Sequence, residues 1–228
     1  MTTNIELDNI SYRIKDTQIL KNISFKLSHG LHILAGSNGS GKTTILRLLS
    51  TLTPPTSGIY QYNQISVKKN RQIKKEIGFM PQQPNLYLDL TVYQNIMYFG
   101  LLKGAKKKDI GAKIDLFLES FSILPFKNIR VQNLSGGIQQ RISIIISIIN
   151  NPKLLILDEP TNNLDEIERN RLYQLLKSIS VNTIVIFSTH LIDEAIKHCD
   201  KVIVMKDGNI SLNESIANMK NLDIKNYF

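Results

Sequence analysis

A glycine-rich segment, GSNGSGKT at 36–43, constrains the fold of this chain more than any other feature. It matches the pattern G-x-x-x-x-G-K-[ST] at every fixed position. It lies between an apolar run, LHILAG (31–36), and a stretch with helical spacing, TTILRLLS (43–50). Strand, glycine-rich loop and helix in that order form the context in which such a loop wraps phosphate oxygens with its backbone N–H groups. The segment therefore predicts an α/β fold that binds a phosphorylated ligand.

Residues of this loop have distinct chemical tasks. Glycines let the backbone approach the phosphates closely. Lys42 supplies a positive charge to the β- and γ-phosphates, and Thr43 offers a hydroxyl to Mg²⁺. The N-terminus of the following helix adds a partial positive charge. The predicted nucleotide-binding residues of the loop are Gly36, Ser37, Asn38, Gly39, Ser40, Gly41, Lys42, Thr43 and Thr44.

Strand-like and helical segments alternate along much of the chain, which indicates a mainly parallel sheet. The predicted strands are 5–12 and 19–27, which form an antiparallel hairpin, then 31–36, 77–84, 154–158, 183–190 and 201–210. Helical patterns cover much of 90–150 and recur at 165–179 and 191–198. We predict a single domain, residues 1–228. Its α/β core comprises 1–83 and 151–228, and a helical subdomain, 84–150, is inserted into it.

Composition excludes several classes of protein. The chain has 228 residues, and its richest apolar run, 142–149, is far shorter than the roughly 20 residues that span a bilayer. The start, MTTNIELDN, lacks the basic and apolar regions of a signal peptide. The one cysteine, Cys199, excludes an internal disulfide and suits a reducing cytoplasm.

The net charge of +9 leaves alternatives open. Basic residues cluster at 68–75 and 103–108, and neither cluster has the interleaved aromatic residues that stack on bases. A solvated basic face is the simplest interpretation. Attraction to an anionic inner membrane surface is the next.

Two acidic residues end an apolar run, LLILDEP at 154–160. Asp158 suits a direct or water-mediated Mg²⁺ contact, as the equivalent acid does in other phosphate-loop NTPases. Glu159 can accept the proton of a water that attacks a γ-phosphate. His190 ends another strand-like run, and Gln82 follows the Met-Pro pair of IGFMPQQP. The plain structural alternatives are a capped strand end, a structural histidine and a surface glutamine.

The signature segment, LSGGIQQR at 134–141, stands shortly before those acids. Its serine and glycines begin a predicted helix, where a hydroxyl and backbone amides form an anion site. A glycine turn before a helix is the plain alternative. A phosphate loop, an LSGG segment and an apolar strand that ends in Asp-Glu together resemble the ATP-binding cassette (ABC) family. The similarity covers residues 5 to about 210.

The resemblance implies an ATPase with ATP and Mg²⁺ as cofactors. It implies that Glu159 polarises the attacking water, that His190 holds the water and the γ-phosphate in register, and that Gln82 is the lid glutamine. Asp165 resembles a group that crosses the interface between two cassettes. The expected catalytic residues are Lys42, Gln82, Glu159 and His190. The expected metal contacts are Thr43, Gln82 and Asp158.

In that family two cassettes pack head to tail, and the LSGG of one closes over the ATP held by the other. The resemblance thus implies that the signature contacts nucleotide on a second cassette, identical or not, through Ser135, Gly136, Gly137 and Gln139. The other expected partners are membrane-spanning permease subunits, and no nucleic acid is expected. The expected location is the cytoplasm, on the inner face of the cell membrane.

Two positions depart from the family pattern. Ser37 stands where proline usually follows the first glycine of the loop, and no loss of binding is expected from it. Ile14 stands where an aromatic residue often lies under the adenine, and Tyr12, the nearest aromatic, falls two residues early. We expect Ile14 to contact the adenine. We also expect ATP affinity to be weaker and base selectivity to be relaxed.

The segments STLTPPTSG (50–58) and YFGLLKG (98–104) loosely resemble ATPases of multidrug, peptide and ABC-2-type exporters. Export of a drug, peptide or similar cargo is therefore the expected activity. The alternative is a non-transport ATPase of the same superfamily. Its ribosomal members carry two cassettes in one chain, and its chromosomal members need long coiled-coil arms, for which Lys42 to Ser135 offers no heptads. A phosphate-loop kinase would leave 134–141 unexplained.

Overall fold

A computed structural model of the protein describes residues 3–69, 71–219 and 224–227. The strands are β1 (Ile5–Ile14), β2 (Thr17–Leu27), β3 (Gly30–Gly36), β4 (Ser57–Tyr62), β5 (Ile65–Ser66), β6 (Ile77–Met80), β7 (Leu154–Leu157), β8 (Ile184–Ser188), β9 (Lys201–Lys206) and β10 (Asn209–Ser215). The helices are α1 (Lys42–Leu49), α2 (Val92–Leu102), α3 (Lys107–Ser120), α4 (Gly136–Ile148), α5 (Glu166–Ser180) and α6 (Ile192–Ala195).

The larger sheet has the strand order β10-β9-β3-β8-β7-β6. Its neighbouring strands run parallel except for the antiparallel pair β9–β10. Inner strands of this sheet are apolar on both faces. In β7, Leu155 and Leu157 belong to one core while Leu154 and Ile156 belong to the other. Continuous apolar strands of this kind are typical of a parallel sheet that is covered on both sides. The predicted α/β fold with a mainly parallel sheet is confirmed.

The smaller sheet has the order β2-β1-β4-β5 and is antiparallel throughout. Its apolar face packs with α1 in the core on one side of the larger sheet. The hairpin β1–β2 is as predicted, whereas β4 and β5 are not predicted from the sequence. In β4 the buried residues are Tyr60 and Tyr62, and Ile59, just before them, is exposed, so the strand lacks a clear alternation of polar and apolar residues.

Three predicted elements differ from the structure. The run 201–210 is not one strand but part of the hairpin β9–β10. Asp207 and Gly208 have φ of 49° and 78° and form its two-residue turn. The run 77–84 is a strand only as far as Met80, since Pro81 cannot donate to a neighbouring strand. The helix expected at 191–198 ends at Ala195, where the chain tightens into a turn.

Helix α2 packs on both α3 and α4, and α4 also packs on β6 and β7. Their apolar residues join those of α5 and of the larger sheet in the second core. The predicted boundaries of the helical subdomain, 84–150, stay a prediction. No helix in the described part of the chain is long and apolar enough to cross a membrane.

Candidate nucleotide-binding site

The glycine-rich loop joins β3 to α1 and closes around the side chain of Lys42. The Lys42 ammonium donates to the carbonyls of Gly36 (2.8 Å) and Ser37 (3.0 Å). Gly36 has φ of 149°, and a Cβ there would lie 2.4 Å from the carbonyl oxygen of Met205, so only glycine fits. Burial lowers the pKa of Lys42, while the charges of Glu159 and Asp158 oppose that shift. The lysine is thus a partly desolvated cation next to two acids.

The start of α1 offers backbone donors to an anion. Its N-cap is Gly41, and no side chain caps it. By contrast, Thr91, Ser135 and Asp165 cap α2, α4 and α5 with their side chains. The first N–H groups of a helix need an acceptor from elsewhere. The Ser40 hydroxyl is also buried and lacks a partner. Phosphate oxygens would satisfy these donors.

An open cavity of about 490 Å³ lies over the loop. It is lined by Ile19, Asn38, Gly39, Gly41, Lys42, Thr43, Thr44, Gln82, Asp158 and Glu159. The structure thus brings the loop together with both acids and with the glutamine chosen from the sequence. Gln83 is not among the described residues that line the cavity.

A buried hydroxyl organises the two acids. Asp158 and Glu159 follow β7, next to the end of β8, and Ser188 is the last residue of β8. The Ser188 hydroxyl donates to Oδ1 of Asp158 (2.6 Å) and accepts from the backbone N–H of Glu159 (2.8 Å). The Asp158 N–H donates to the carbonyl of Met80 at 2.9 Å. Asp158 is therefore held in one orientation at the cavity wall. The sequence analysis does not identify Ser188, although it lies two residues before His190.

His190 contacts the second acid directly. Its Nδ1 lies 3.1 Å from Oε2 of Glu159, and its side chain is 61% exposed whereas that of Glu159 is 10% exposed. An ionised carboxylate only accepts hydrogen bonds, so Nδ1 carries the proton in this contact. In the neutral ring Nε2 is then an acceptor. A neutral ring that donates through Nδ1 therefore has no proton on Nε2 to donate to a phosphate.

The cavity residues fit Mg²⁺ bound together with nucleotide. Thr43, Gln82 and Asp158 present oxygen atoms, the ligand type that Mg²⁺ prefers. Among the described residues, no group of three or more His, Cys, Asp or Glu side chains could hold a metal ion. A cation here would therefore take part of its coordination from phosphate oxygens and water, as Mg²⁺ commonly does.

The signature segment is partly exposed at the surface. Ser135 caps α4 by accepting from the N–H of Ile138 (3.5 Å), and Ser135 and Gly136 are exposed. A Cβ on Gly137 would lie 2.9 Å from the carbonyl oxygen of Asn163, so glycine allows a close approach there. None of the described cavity-lining residues belongs to 134–141. The predicted contacts of Ser135, Gly136 and Gly137 with ATP stay a prediction.

Gln139 and Asp165 make contacts within the chain. The Gln139 amide nitrogen donates to the carbonyls of Val131 (3.2 Å) and Leu134 (3.1 Å), so its NH₂ group supports the turn before α4. Asp165 is the N-cap of α5 in a capping box with Glu168. Both residues have a structural role beside the contacts predicted for them.

Ile14 ends β1 and is 52% exposed, and it does not line the described cavity. Ile19, on β2, is the hydrophobic residue that does. Tyr12 packs against the core between the two sheets, so its ring supports the fold. The expected contact of Ile14 with adenine, and the weaker ATP affinity expected from it, stay predictions.

The geometry agrees with comparison to known proteins. The family model described as "ABC transporter" matches residues 20–162, a span that includes the loop, the signature segment and both acids. The chain belongs to the ABC transporter family. It is an ATP-binding cassette that works as an ATPase, as the family resemblance implies.

Relatives in distant organisms carry the same cassette. The ABC transporter ATP-binding protein YxlF of Bacillus subtilis is 30% identical over 98% of this chain and 75% of its own length. MJ1023 of Methanocaldococcus jannaschii, another ABC transporter ATP-binding protein, is 32% identical over 91% of this chain and 76% of its own length. ABC transporter A family member 11 of Dictyostelium discoideum is 36% identical over 78% of this chain, which spans only 22% of that longer protein.

Solved structures of cassettes superpose closely on this chain. The dimeric structure of MJ0796, a bacterial ABC transporter cassette, has a TM-score of 0.83 and 29% identity, and covers 93% of this chain and 98% of its own. A post-hydrolysis state of MJ0796 with ADP and Pi bound has a TM-score of 0.83 and 28% identity over 93% of this chain and 98% of its own. MJ0796, a cassette similar to this chain, therefore forms a dimer and binds ADP.

Proposed function

We propose that this cassette is the ATP-hydrolysing subunit of a membrane exporter for a drug, peptide or similar cargo. It works as a head-to-tail dimer on separate membrane-spanning subunits. One observation carries the proposal. Lys42, Thr43, Asp158 and Glu159 meet in one cavity, while Ser135 and Gly136 of the signature segment are exposed and do not line it. One chain thus holds two half-sites that it cannot join by itself.

A second cassette would complete both half-sites at once. Its Ser135 and Gly136 would offer a hydroxyl and helix N-terminal amides to the γ-phosphate held by Lys42 of the first chain. Shared phosphate contacts would draw the two cassettes together when ATP binds. Hydrolysis would weaken the interface because the γ-phosphate that both chains contact is released. Closure and opening would then drive the membrane-spanning subunits.

In the hydrolysis step, Glu159 accepts the proton of the attacking water, and His190 holds the Glu159 carboxylate in place through its Nδ1. Lys42 and the N–H groups at the start of α1 bind the β- and γ-phosphates. Thr43, Asp158 and Gln82 would hold Mg²⁺. When bound, this ion neutralises phosphate charge and orients the oxygen atoms.

Export is proposed on the similarity of 50–58 and 98–104 to exporter ATPases. The relatives include transporters of several kinds. The human phospholipid-transporting ATPase ABCA3 is 33% identical over 86% of this chain. The phosphonates import ATP-binding protein PhnC of Mesoplasma florum is 34% identical over 84% of this chain. We place the cassette in the cytoplasm, on the inner face of the membrane, as one domain with a core of 1–83 and 151–228 and a helical subdomain of 84–150.

Purification from native membranes tests the proposal. A tagged cassette, solubilised in mild detergent, should co-purify with a six-span membrane protein encoded beside it. Inside-out vesicles that contain both proteins should take up fluorescent drugs or labelled peptides only with ATP. A co-purifying solute-binding protein, or uptake by right-side-out vesicles instead, would indicate import. Recovery with ribosomes and no membrane protein would contradict a transport role.

Substitution of Ile14 by tyrosine should strengthen ATP binding. A ring at this exposed position could stack on the adenine, which would raise affinity by about 5-fold for about 1 kcal/mol of stacking. Side-by-side titrations of ATP and GTP with the wild type and the Ile14→Tyr variant would measure the effect. Replacement of exposed Ile65 by tyrosine is the matched control. A strong preference of the wild type for ATP over GTP would contradict the expected weak selectivity.

A further inference from the structure

Helix α4, which begins in the signature segment, also contacts the loop that carries Glu159 in the same chain. Gln140, on α4, is 1% exposed, and its amide nitrogen donates to the backbone carbonyl of Glu159 at 3.1 Å. The two residues are 19 positions apart, so this contact is a product of the tertiary fold. Gln140 does not line the nucleotide cavity among the described residues and has no role in the steps above.

The backbone of Glu159 needs such support. It has φ of 51°, in the left-handed region that residues other than glycine seldom adopt. A strained conformation of this kind persists only where surrounding groups hold it. Here the N–H of Glu159 donates to the Ser188 hydroxyl at 2.8 Å, and its carbonyl accepts from Gln140. The N–H of Asn162 reaches the same carbonyl at 3.3 Å. Gln140 thus holds the backbone of a residue that lines the nucleotide cavity.

The next residue of α4, Arg141, contacts Glu168 in the first turn of α5, just after this loop. The Arg141 guanidinium contacts the carboxylate of Glu168 and donates to the carbonyl of Phe121 at 3.1 Å. The other carboxylate oxygen of Glu168 accepts from the N–H of Asp165 at 3.4 Å. Gln140 and Arg141, which are consecutive on α4, therefore connect this helix to both ends of the segment 159–168.

We propose that Gln140 is a positioning residue for hydrolysis, which holds the peptide of Glu159 so that its carboxylate points at the attacking water. This inference rests on the proposed role of Glu159. Ser135 caps the same helix, about 7.5 Å along its axis from Gln140. Ser135, which would contact the partner's ATP, and Gln140, which supports Glu159 of the same chain, thus belong to one rigid helix. A change in how Ser135 contacts the partner's ATP would therefore alter, through α4 and Gln140, the hydrolysis of the ATP bound to the same chain.

The first test is the variant Gln140→Leu, which keeps the side-chain size and removes the donor. We expect kcat to fall by about 10- to 100-fold, because a small misplacement of a catalytic group costs that much. The dissociation constant for ATP should stay within about twofold, since the phosphate loop is untouched. Ser147→Ala is the matched control. Ser147 is buried on the same helix, and among the described residues its hydroxyl bonds only to the local carbonyl of Ile144. Wild-type kcat in folded Gln140→Leu would overturn the proposal.

A second variant separates positioning from a general loss of structure. In Gln140→Glu, the side chain can donate to the Glu159 carbonyl only when it is protonated. Burial raises the pKa of such a carboxyl, so the donor returns as pH falls. The ratio of variant to wild-type kcat should therefore rise between pH 8 and pH 6. A ratio that does not change with pH would overturn the proposal, since lost packing alone is insensitive to this protonation.

Nucleotide-driven closure distinguishes this inference from the proposed function. The double variant Gln140→Leu, Glu159→Gln should form the ATP-dependent dimer to the same extent as Glu159→Gln alone, because Gln140 acts on hydrolysis and not on closure. If only the double variant stays monomeric, Gln140 acts on the interface, and the positioning role is wrong. If Glu159→Gln itself stays monomeric and active, the proposed function fails first.

Discussion

Substitution of Glu159 by glutamine should reduce ATP hydrolysis by about 1,000-fold or more while ATP still binds, which corresponds to about 4 kcal/mol of lost transition-state stabilisation. Glutamine keeps the size of the side chain and a partner for His190, but it cannot accept the proton of the attacking water. The phosphate loop is unchanged, so the nucleotide is held. We expect the variant to accumulate as a closed dimer in ATP and Mg²⁺, which gel filtration would detect.

The control for this result is Glu119→Gln, the same chemical change at an exposed position on α3. It should hydrolyse ATP at the wild-type rate and should not accumulate as a dimer. A Glu159→Gln variant that stays monomeric and turns over ATP normally would refute both the catalytic role of Glu159 and the proposed dimer.

Replacement of Lys42 by alanine should remove most nucleotide binding. The ammonium is buried beside the loop carbonyls and would give charge-assisted hydrogen bonds to the β- and γ-phosphates. Loss of about 3 kcal/mol from such bonds weakens ATP binding by roughly 100-fold. Equilibrium titration with a fluorescent ATP analogue would measure this. Lys42→Ala should also remain monomeric at ATP concentrations that close Glu159→Gln, since closure needs bound nucleotide.

Lys42 also bonds to its own loop, so its removal could unfold the protein. Thermal unfolding of Lys42→Ala would show whether ATP binding is lost because the ammonium is missing or because the variant is unfolded. Lys153→Ala, at an exposed position just before β7, is the control for removal of a lysine. Unchanged ATP affinity in a folded Lys42→Ala variant would show that the loop binds nucleotide without its lysine, against the proposed assignment.

Several features could be predicted from local sequence because their chemistry is local. The phosphate loop requires glycines and a lysine within eight positions, and Asp158 and Glu159 follow directly from an apolar strand. The parallel sheet follows from apolar runs that alternate with helical patterns. Predictions of strands are wrong where the local sequence pattern is weak. The Asp207–Gly208 turn is short enough to be taken for part of one strand, and β4 exposes Ile59 while it buries two tyrosines.

The sequence by itself determined the family and the fold class, and it predicted the residues that carry the chemistry, since each lies in a short contiguous motif. Only the tertiary structure decided how these motifs cooperate. Ser188 joins Asp158 to the backbone of Glu159 from another strand, and Gln140 reaches that backbone from the signature helix. Such contacts join residues 19 to 30 positions apart, so no local pattern encodes them. The parallel pairing of β7 with β8 and the packing of α4 against β6 and β7 create them, and the same packing leaves Ser135 exposed.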